Sequence, residues 1–356
     1  MMMMMMKSVF EPTTCIVFLG FIVDSANRCF RITENKKQKF AQLRDKILSQ
    51  RNVSVLDLQK LAGRCVSFML AVPASKLYTR EMNIAIAEGI RNSRLFVRIS
   101  EQLREEIRAW LFLDGWKGKL EWKTERHISV TIYTDASTFK WAGIVQSRTG
   151  PVDMSDYWPE EQRHLPIMVL EAKSLLHVLE ALKDNVRGHR VVGFVDSKVL
   201  IDGWSNEGCK CSAMNSVLKE IFSFCLEYDL VLKLVYVKSK DNPADFPSRE
   251  LKKIDACLTE ATWQRVQEKF GNKSGHSIDL MALDSNCMRH KDGSLLKHFS
   301  PYNTPLSSGT DMFCQHVSEA ENCYVFPPFS LILPTLRLPT LWLLTPIPGC
   351  LRLGLS

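Results

Sequence analysis

Four carboxylates set far apart constrain this chain more than any other feature: Asp135 in IYTDAS, Glu171 in VLEAKSLL, Asp196 in VGFVDS and Asp245 in DNPADFPSR. They are separated by 36, 25 and 49 residues, so they are not a local charge run. The apolar patterning around them puts Asp135 at the end of a strand and Glu171 on a helix. Asp196 ends another strand, and Asp245 opens a helix. Only a fold that brings strand ends and one helical face to a common point can gather them. Gathered carboxylates repel and raise each other's pKa. Hard divalent cations that prefer oxygen ligands, Mg²⁺ or Mn²⁺, relieve that repulsion. Two such ions about 4 Å apart can activate a water and stabilise the leaving oxygen of a phosphodiester. The pattern points to metal-dependent phosphodiester hydrolysis, with all four acids as catalytic and metal-ligating candidates.

The elements between the acids give the fold class. His127–Thr134 has Ile128, Val130 and Ile132 at a period of two, the mark of a strand. Trp141–Gln146 and Met154–Trp158 read as two further strands, antiparallel by their short connections. Pro166–Leu182 is a long helix, and Arg190–Val195 carries the continuous apolar run of a buried central parallel strand. Helices over Ser197–Trp204 and Ser212–Tyr228 precede a last strand, Val231–Val237. The sum is an α/β domain with a mixed five-stranded sheet and flanking helices. Each acid also has a simpler role open to it. Asp135 can start a turn, and Asp196 can cap a helix. Asp245 can sit in a first turn after Pro243. Glu171 can lie at the solvated edge of the stripe it shares with Leu175, Val178 and Leu182. The four together, in order and in matching contexts, favour the catalytic reading.

At these residues the chain resembles a known family. From His127 to about Glu250 it is similar to the type 1 ribonuclease H domain of a retroelement polyprotein. YTDAS followed by WAG resembles that family's first two strands, and LEAKSLLHVLEAL its first helix. VDSKVLIDGW resembles the step that holds its third acid, and DNPADFPSR its closing signature. Upstream, FLGFIVDS and LQKLAGRCVSFMLAVPASKLYTREM are similar to the end of a reverse transcriptase palm and thumb. The combination resembles DIRS-type or Ngaro-type retrotransposon polyproteins over about residues 15–250. The resemblance implies cleavage of the RNA strand of an RNA–DNA hybrid with Mg²⁺ or Mn²⁺. The palm's tyrosine-x-aspartate-aspartate strand has no counterpart before Phe18, so no polymerase activity is expected of this chain by itself. Many relatives carry a histidine in the loop before the fourth acid; here that loop reads YVKSKDNP. Ser137, Ser197 and Arg249 flank the acids and are candidates for contact with phosphate or 2′-hydroxyl groups, or equally for caps and surface positions. A non-catalytic nucleic-acid-binding remnant of the same element is one alternative. Another nuclease or an integrase on the same fold is a second, disfavoured because such sites usually place their glutamate last.

Charge divides the chain. Residues 1–126 hold 22 Lys+Arg against 13 Asp+Glu, residues 127–250 hold 14 against 17, and the remainder 10 against 9. A basic arm beside an acidic catalytic segment suits a polyanionic partner. From Thr33, Phe40, Leu43 and Ile47 recur at helical spacing among Lys36, Lys37, Lys39, Arg44 and Lys46, which predicts a helix with a basic outer face. Lys36, Lys37 and Lys39 are the nucleic-acid-binding candidates of this arm, with a solvated helix surface as the plain alternative. Thr14–Val23 predicts a strand or hairpin. Ser54 with Asp57 predicts a capping box before a helix striped by Leu58, Leu61, Cys65 and Phe68. Gly63 in that helix is expected to permit close packing, and Val72-Pro73 to end it. A third helix is expected over Glu101–Leu113.

The domain organisation expected is a low-complexity start over 1–12, a palm-end, thumb and connection-like helical segment over 13–120, and the ribonuclease H-like domain over 127–250. Residues 251–356 are expected to be largely disordered. Within that tail FGNKSGHSIDLM and VFPPFSLI resemble a downstream module of such polyproteins that is compared with adenine methyltransferases, though no glycine-rich cofactor loop accompanies them. Eleven cysteines without a CxxC pair suit reduced thiols in an intracellular, cytoplasmic or nuclear protein, and no zinc site is assigned. The MMMMMMK start lacks the features of a signal peptide. The prolines of FPPFSLILPTLRLPTLWLLTPIP would break a spanning helix, so no membrane partner is expected.

Overall fold

The computed structural model describes residues 11–72, 74–115, 119–121, 129–147, 150–250, 257–271, 275–318 and 320–337. They fall into two compact units. One takes the described residues up to 121 together with Asp202–Phe222. The other takes those from 129 to Ile201 and from Ser223 onward. The methionine run, Pro73, His127, Ile128 and everything from residue 338 lie outside the described residues.

The first unit begins with the expected hairpin, β1 (Cys15–Phe18) and β2 (Phe21–Asp24). Leu19 and Gly20 turn it with φ of 48° and 79°. Two positive φ values are what a two-residue type I′ turn requires. β3 (Cys29–Ile32) extends the sheet, followed by α1 (Glu34–Leu48), β4 (Asn52–Ser54) and α2 (Val55–Val66). Ser54 caps α2 by accepting from the Asp57 N–H at 3.0 Å. Leu58, Leu61, Cys65 and Phe68 are fully buried, as their spacing predicts. α3 (Arg80–Arg91), β5 (Phe96–Arg98), α4 (Glu101–Ala109), the short α5 (Phe112–Gly115) and β6 (Lys119–Glu121) complete the N-terminal part. The single helix expected over Glu101–Leu113 is thus two. The sheet order is β1-β2-β3-β6, with β4 and β5 paired separately.

Three sequence expectations fail here for identifiable reasons. Arg44 does not join the basic outer face. It lies four residues after Phe40 and three before Ile47, on the same helical stripe. It is buried, with Nη1 and Nη2 each 2.8 Å from the two Asp114 oxygens and Nη1 also donating to the Trp110 carbonyl. Lys36 is turned inward as well: Nζ donates to the Ser67 carbonyl at 3.2 Å and lies 4.1 Å from the Phe21 ring centroid. Gly63 mediates no close packing, since a Cβ there would meet nothing within 4 Å. The tight approach is at Gly89, where a Cβ would stand 2.6 Å from Val55 Cγ2.

The second unit holds the five-stranded sheet. β7 (Ser129–Ala136), β8 (Lys140–Ser147) and β9 (Gly150–Tyr157) form an antiparallel meander. α6 (Ile167–Ala181) and the short α7 (Lys183–Val186) lead to β10 (Arg190–Val195), which pairs parallel to β7. α8 (Lys198–Ser205) and α9 (Ser212–Glu227), whose residues from Asp202 to Phe222 belong to the first unit, precede β11 (Val231–Tyr236), parallel to β10. The order is β11-β10-β7-β8-β9, a mixed α/β sheet with flanking helices. β10 is not uniformly buried as its apolar run suggests. Val191, Gly193 and Val195 are buried while Val192 and Phe194 are half-buried, with Phe194 stacked on Tyr133 at 4.8 Å. α6 lies close on the sheet because Gly143 leaves room for Val178. Ser174 Oγ fixes it there, sharing its proton between the Asp135 carbonyl at 2.7 Å and the Ala142 carbonyl at 3.2 Å.

The chain continues through α10 (Asp245–Arg249) and α11 (Glu260–Phe270). Four short strands then pair in parallel, β12 (Ile278–Asp279), β13 (Lys297–Ser300), β14 (Gly309–Thr310) and β15 (Cys323–Tyr324), in the order β14-β13-β12-β15. A final helix, α12, spans Ile332–Leu336. The described part of the tail is therefore structured where the sequence pattern suggested disorder. It also covers the sheet's edge strand: the Ser285 N–H donates to Asp156 Oδ2 at 3.0 Å, and the Tyr302 hydroxyl to the Ser155 carbonyl at 2.6 Å. Among the described residues no helix is long and apolar enough to cross a membrane, and the cysteines are free thiols.

Candidate functional site

Three of the four carboxylates meet. Asp135 sits near the end of β7, Glu171 in the second turn of α6, and Asp196 directly after β10. The register places β7 and β10 side by side, so their carboxyl ends open at the same edge. α6 packs on β7 and β8 through Ser174 and Val178. One oxygen from each acid lies within 4.8 Å of those of the other two. Asp135 and Glu171 are buried, at 1% and 6% exposure, and Asp196 is half-buried.

Burial and mutual repulsion set the electrostatics. Burial, then the charges of Asp135 and Asp196, push the Glu171 carboxyl up to about 9. Burial likewise raises Asp135 to about 6, against the opposing hydrogen bond from Ser248. Glu171 Oε2 is buried and has no hydrogen-bond partner. A buried acceptor without a donor costs about 1–3 kcal/mol. The charge of Arg249 opposes the rise at both Asp135 and Glu171. An orphaned carboxylate oxygen facing two further carboxylates fits a hard divalent ion, whose ligands would be Asp135, Glu171 and Asp196.

Asp245 opens α10 as predicted and its charge acts on Asp135, yet it is not one of the three acids whose oxygens lie within 4.8 Å of one another. Its Oδ1 accepts from Arg249 Nη2 at 2.6 Å and from the Ser239 hydroxyl at 2.9 Å. The helix itself is firmly moored. Asn242 Nδ2 donates to the Thr134 carbonyl at 3.0 Å, and Ala244 is fully buried. The Ser248 hydroxyl lies 2.5 Å from Asp135 Oδ2 and 2.8 Å from the Asp245 carbonyl.

The flanking candidates take structural positions. Ser137 Oγ donates to the Ser248 carbonyl at 2.7 Å and accepts from the Lys140 N–H at 3.0 Å. Ser197 accepts from the Leu200 N–H at 3.4 Å, the cap position at the start of α8. In the first unit Lys36 is occupied as described, Lys37 pairs with Glu34 at 3.0 Å, and Lys39 is exposed. Sequence reasoning did not single out Ser248, Asn242, Ser174 or Lys140. Lys140 is buried, with Nζ donating to the Glu250 carbonyl at 3.1 Å beside the Tyr157 ring. Ser248 and Asn242 do lie inside the DNPADFPSR stretch, and their regular spacing around Asp245 is the signal that could have marked them.

No family model matches the chain, and no curated protein matches it. Among solved structures it is similar to ribonuclease H1 from the archaeon Halobacterium salinarum, at 15% identity, with a TM-score of 0.29, over 33% of this chain and 93% of that one. It is similar to LC11-RNase H1, solved with an RNA/DNA hybrid, at 18% identity and a TM-score of 0.29, over 33% of this chain and 91% of that one. A foamy viral protease-reverse transcriptase, also solved with an RNA/DNA hybrid, is similar at 16% identity and a TM-score of 0.26, over 69% of this chain and 31% of that one. Similarity at this level assigns no activity.

Proposed function

We propose that the chain is a metal-dependent ribonuclease of the ribonuclease H type, hydrolysing the RNA strand of an RNA–DNA hybrid. The observation that carries this is the meeting of Asp135, Glu171 and Asp196 within 4.8 Å, with a buried Glu171 oxygen left without a partner. The chain order, an acid on the first strand, a glutamate on the first long helix and an acid after the next parallel strand, supports ribonuclease H over integrase-type chemistry. Mg²⁺ or Mn²⁺ bound there would supply charge neutralisation at the reacting phosphodiester. The chain's own residues prepare for this. Ser248 fixes one oxygen of Asp135. Ser174 locks α6, and with it Glu171, onto β7 and β8. Asp245 is the fourth acid for a two-metal arrangement.

The polyanionic substrate is held by charge outside the cluster. Residues 127–250 carry more acids than bases, while residues 1–126 carry 22 Lys+Arg against 13 Asp+Glu. Lys39 is the exposed member of the three lysines predicted to bind. Arg249, Ser137 and Ser197 flank the acids in the sequence and are the candidates for contact with a bound backbone. The finer reading, a fragment of a DIRS- or Ngaro-like retrotransposon polyprotein, rests on the palm-end, thumb and closing-signature motifs. The test is cleavage of a labelled hybrid by the full chain with Mg²⁺ or Mn²⁺, compared with Asp135→Asn. A folded Asp135→Asn protein that cleaves like the parent sinks the assignment. A parent that binds hybrid but never cuts it leaves the non-catalytic remnant as the better reading.

A further inference from the structure

Arg249 is placed to do more than touch a phosphate. Its Nη2 is 2.6 Å from Asp245 Oδ1, one helical turn away on α10. The backbone beneath it cannot adjust, because Asn242, Ala244 and Ser248 moor α10 to β7 and β8. The two side chains can: those of Arg249 and Asp245 are 63% and 29% exposed. A change of rotamer at either breaks the pair without moving the helix.

The three-acid group and the fourth acid are thus in different states. Asp135, Glu171 and Asp196 already face each other within 4.8 Å, and Glu171 Oε2 has no partner. Asp245 is already engaged by Arg249 and Ser239. An ion needing only the first three breaks no guanidinium pair. An ion needing Asp245 must displace a guanidinium from it.

We propose that Arg249 is a positioning residue that gates the second cation: it occupies the Asp245 carboxylate, so the site fills in two separated steps. This rests on the reading of the cluster as a metal site, but it is tested by metal binding rather than by cleavage.

The experiment is titration of the metal-free full chain with Mn²⁺, counting free Mn²⁺ by electron paramagnetic resonance, with thermal melts in chelator and in saturating Mn²⁺. The parent should show one tight and one weaker step. Arg249→Gln should tighten the second step about three- to fivefold, the scale on which partly exposed ion pairs compete. Asp245→Asn should lose the second step and keep the first, and adding Arg249→Gln to it should not restore one. In chelator Arg249→Gln should melt below the parent, because Asp245 has lost its partner. In saturating Mn²⁺ the two should melt together. A lower melting temperature under both conditions with unchanged steps would mean an ordinary structural pair. Weaker hybrid binding with unchanged Mn²⁺ steps would mean a phosphate contact. Either result overturns the gate. A parent that binds no Mn²⁺ overturns the gate and the metal-site reading together.

Discussion

Replacing Glu171 by Gln should stabilise the metal-free protein, and the gain should depend on pH in a defined way. The folded-state pKa of Glu171, about 9, lies above its ordinary 4.5. Between those values the folded protein retains a proton that the unfolded chain has released. Stability therefore falls as pH rises through this window, while Gln never titrates and escapes the loss. At pH 7.5, about three units above the ordinary value, the loss comes to about 4 kcal/mol at about 1.4 kcal/mol per unit. It corresponds to a rise of roughly 8 °C or more in the melting of the unit that holds the site. At pH 4, below both values, the two proteins should melt together. In saturating Mg²⁺ the order should reverse, because the parent gains binding energy through a ligand the variant lacks. The assay is a melting series from pH 4 to 9, with chelator and with Mg²⁺. A Gln variant less stable than the parent at pH 7.5 in chelator, or a difference independent of pH, would refute the argument that uncompensated charge dominates this site.

Three further outcomes follow from the packing. Gly89→Ala should destabilise the first unit by about 1–3 kcal/mol, through overpacking against Val55, whereas Gly63→Ala should stabilise it by up to about 1 kcal/mol; chemical denaturation distinguishes them. Ending the chain at residue 256 strips Ser285 and Tyr302 from β9, leaving the buried Asp156 carboxylate without one of its donors, so the truncated protein should lose about 2–4 kcal/mol and show aggregation in light scattering. Lys39→Gln should reduce the salt dependence of hybrid binding by about one counterion, while Lys36→Gln should leave the slope unchanged and lower the melting temperature, since Lys36 is held by Ser67 and Phe21. Substitution is the cleaner probe here than deleting residues 1–120, because Asp202–Phe222 packs with that segment: Glu207 accepts from the Lys76 N–H, and Lys219 lies over Tyr78.

What was legible in the sequence was what has a local period. β10 and the long helix carrying Glu171 emerge at or within a residue of their predicted ends, because their apolar runs are long and bounded by polar residues. The meeting of Asp135, Glu171 and Asp196 was legible because strand ends and a core-facing stripe leave few other ways to place three acids. α3 was missed because its periodicity misleads: Ile84 and Ile90 are exposed while Met82 and Gly89 are buried. Arg44 was misplaced because a helical wheel gives its position and not its partner, and Asp114 lies 70 residues away. The tail was misread for a similar reason. Its strands are two to four residues long, too short for a period. They are held by non-local pins such as Asp284, which accepts from His298, Thr304 and the Leu306 N–H. The engagement of Asp245 by Arg249 and Ser239 was also beyond the sequence, since an acid that opens a helix looks the same whether it faces inward or pairs one turn on.

The most direct test of the central claim is a strand-resolved cleavage assay. The full chain is incubated in Mg²⁺ with an RNA–DNA hybrid labelled on each strand, beside the same sequence as duplex DNA and as duplex RNA. The account predicts cuts in the RNA strand of the hybrid alone, lost together in Asp135→Asn, Glu171→Gln and Asp196→Asn proteins that still fold. Cleavage that persists in any of these three variants, or that falls equally on duplex DNA, would contradict it.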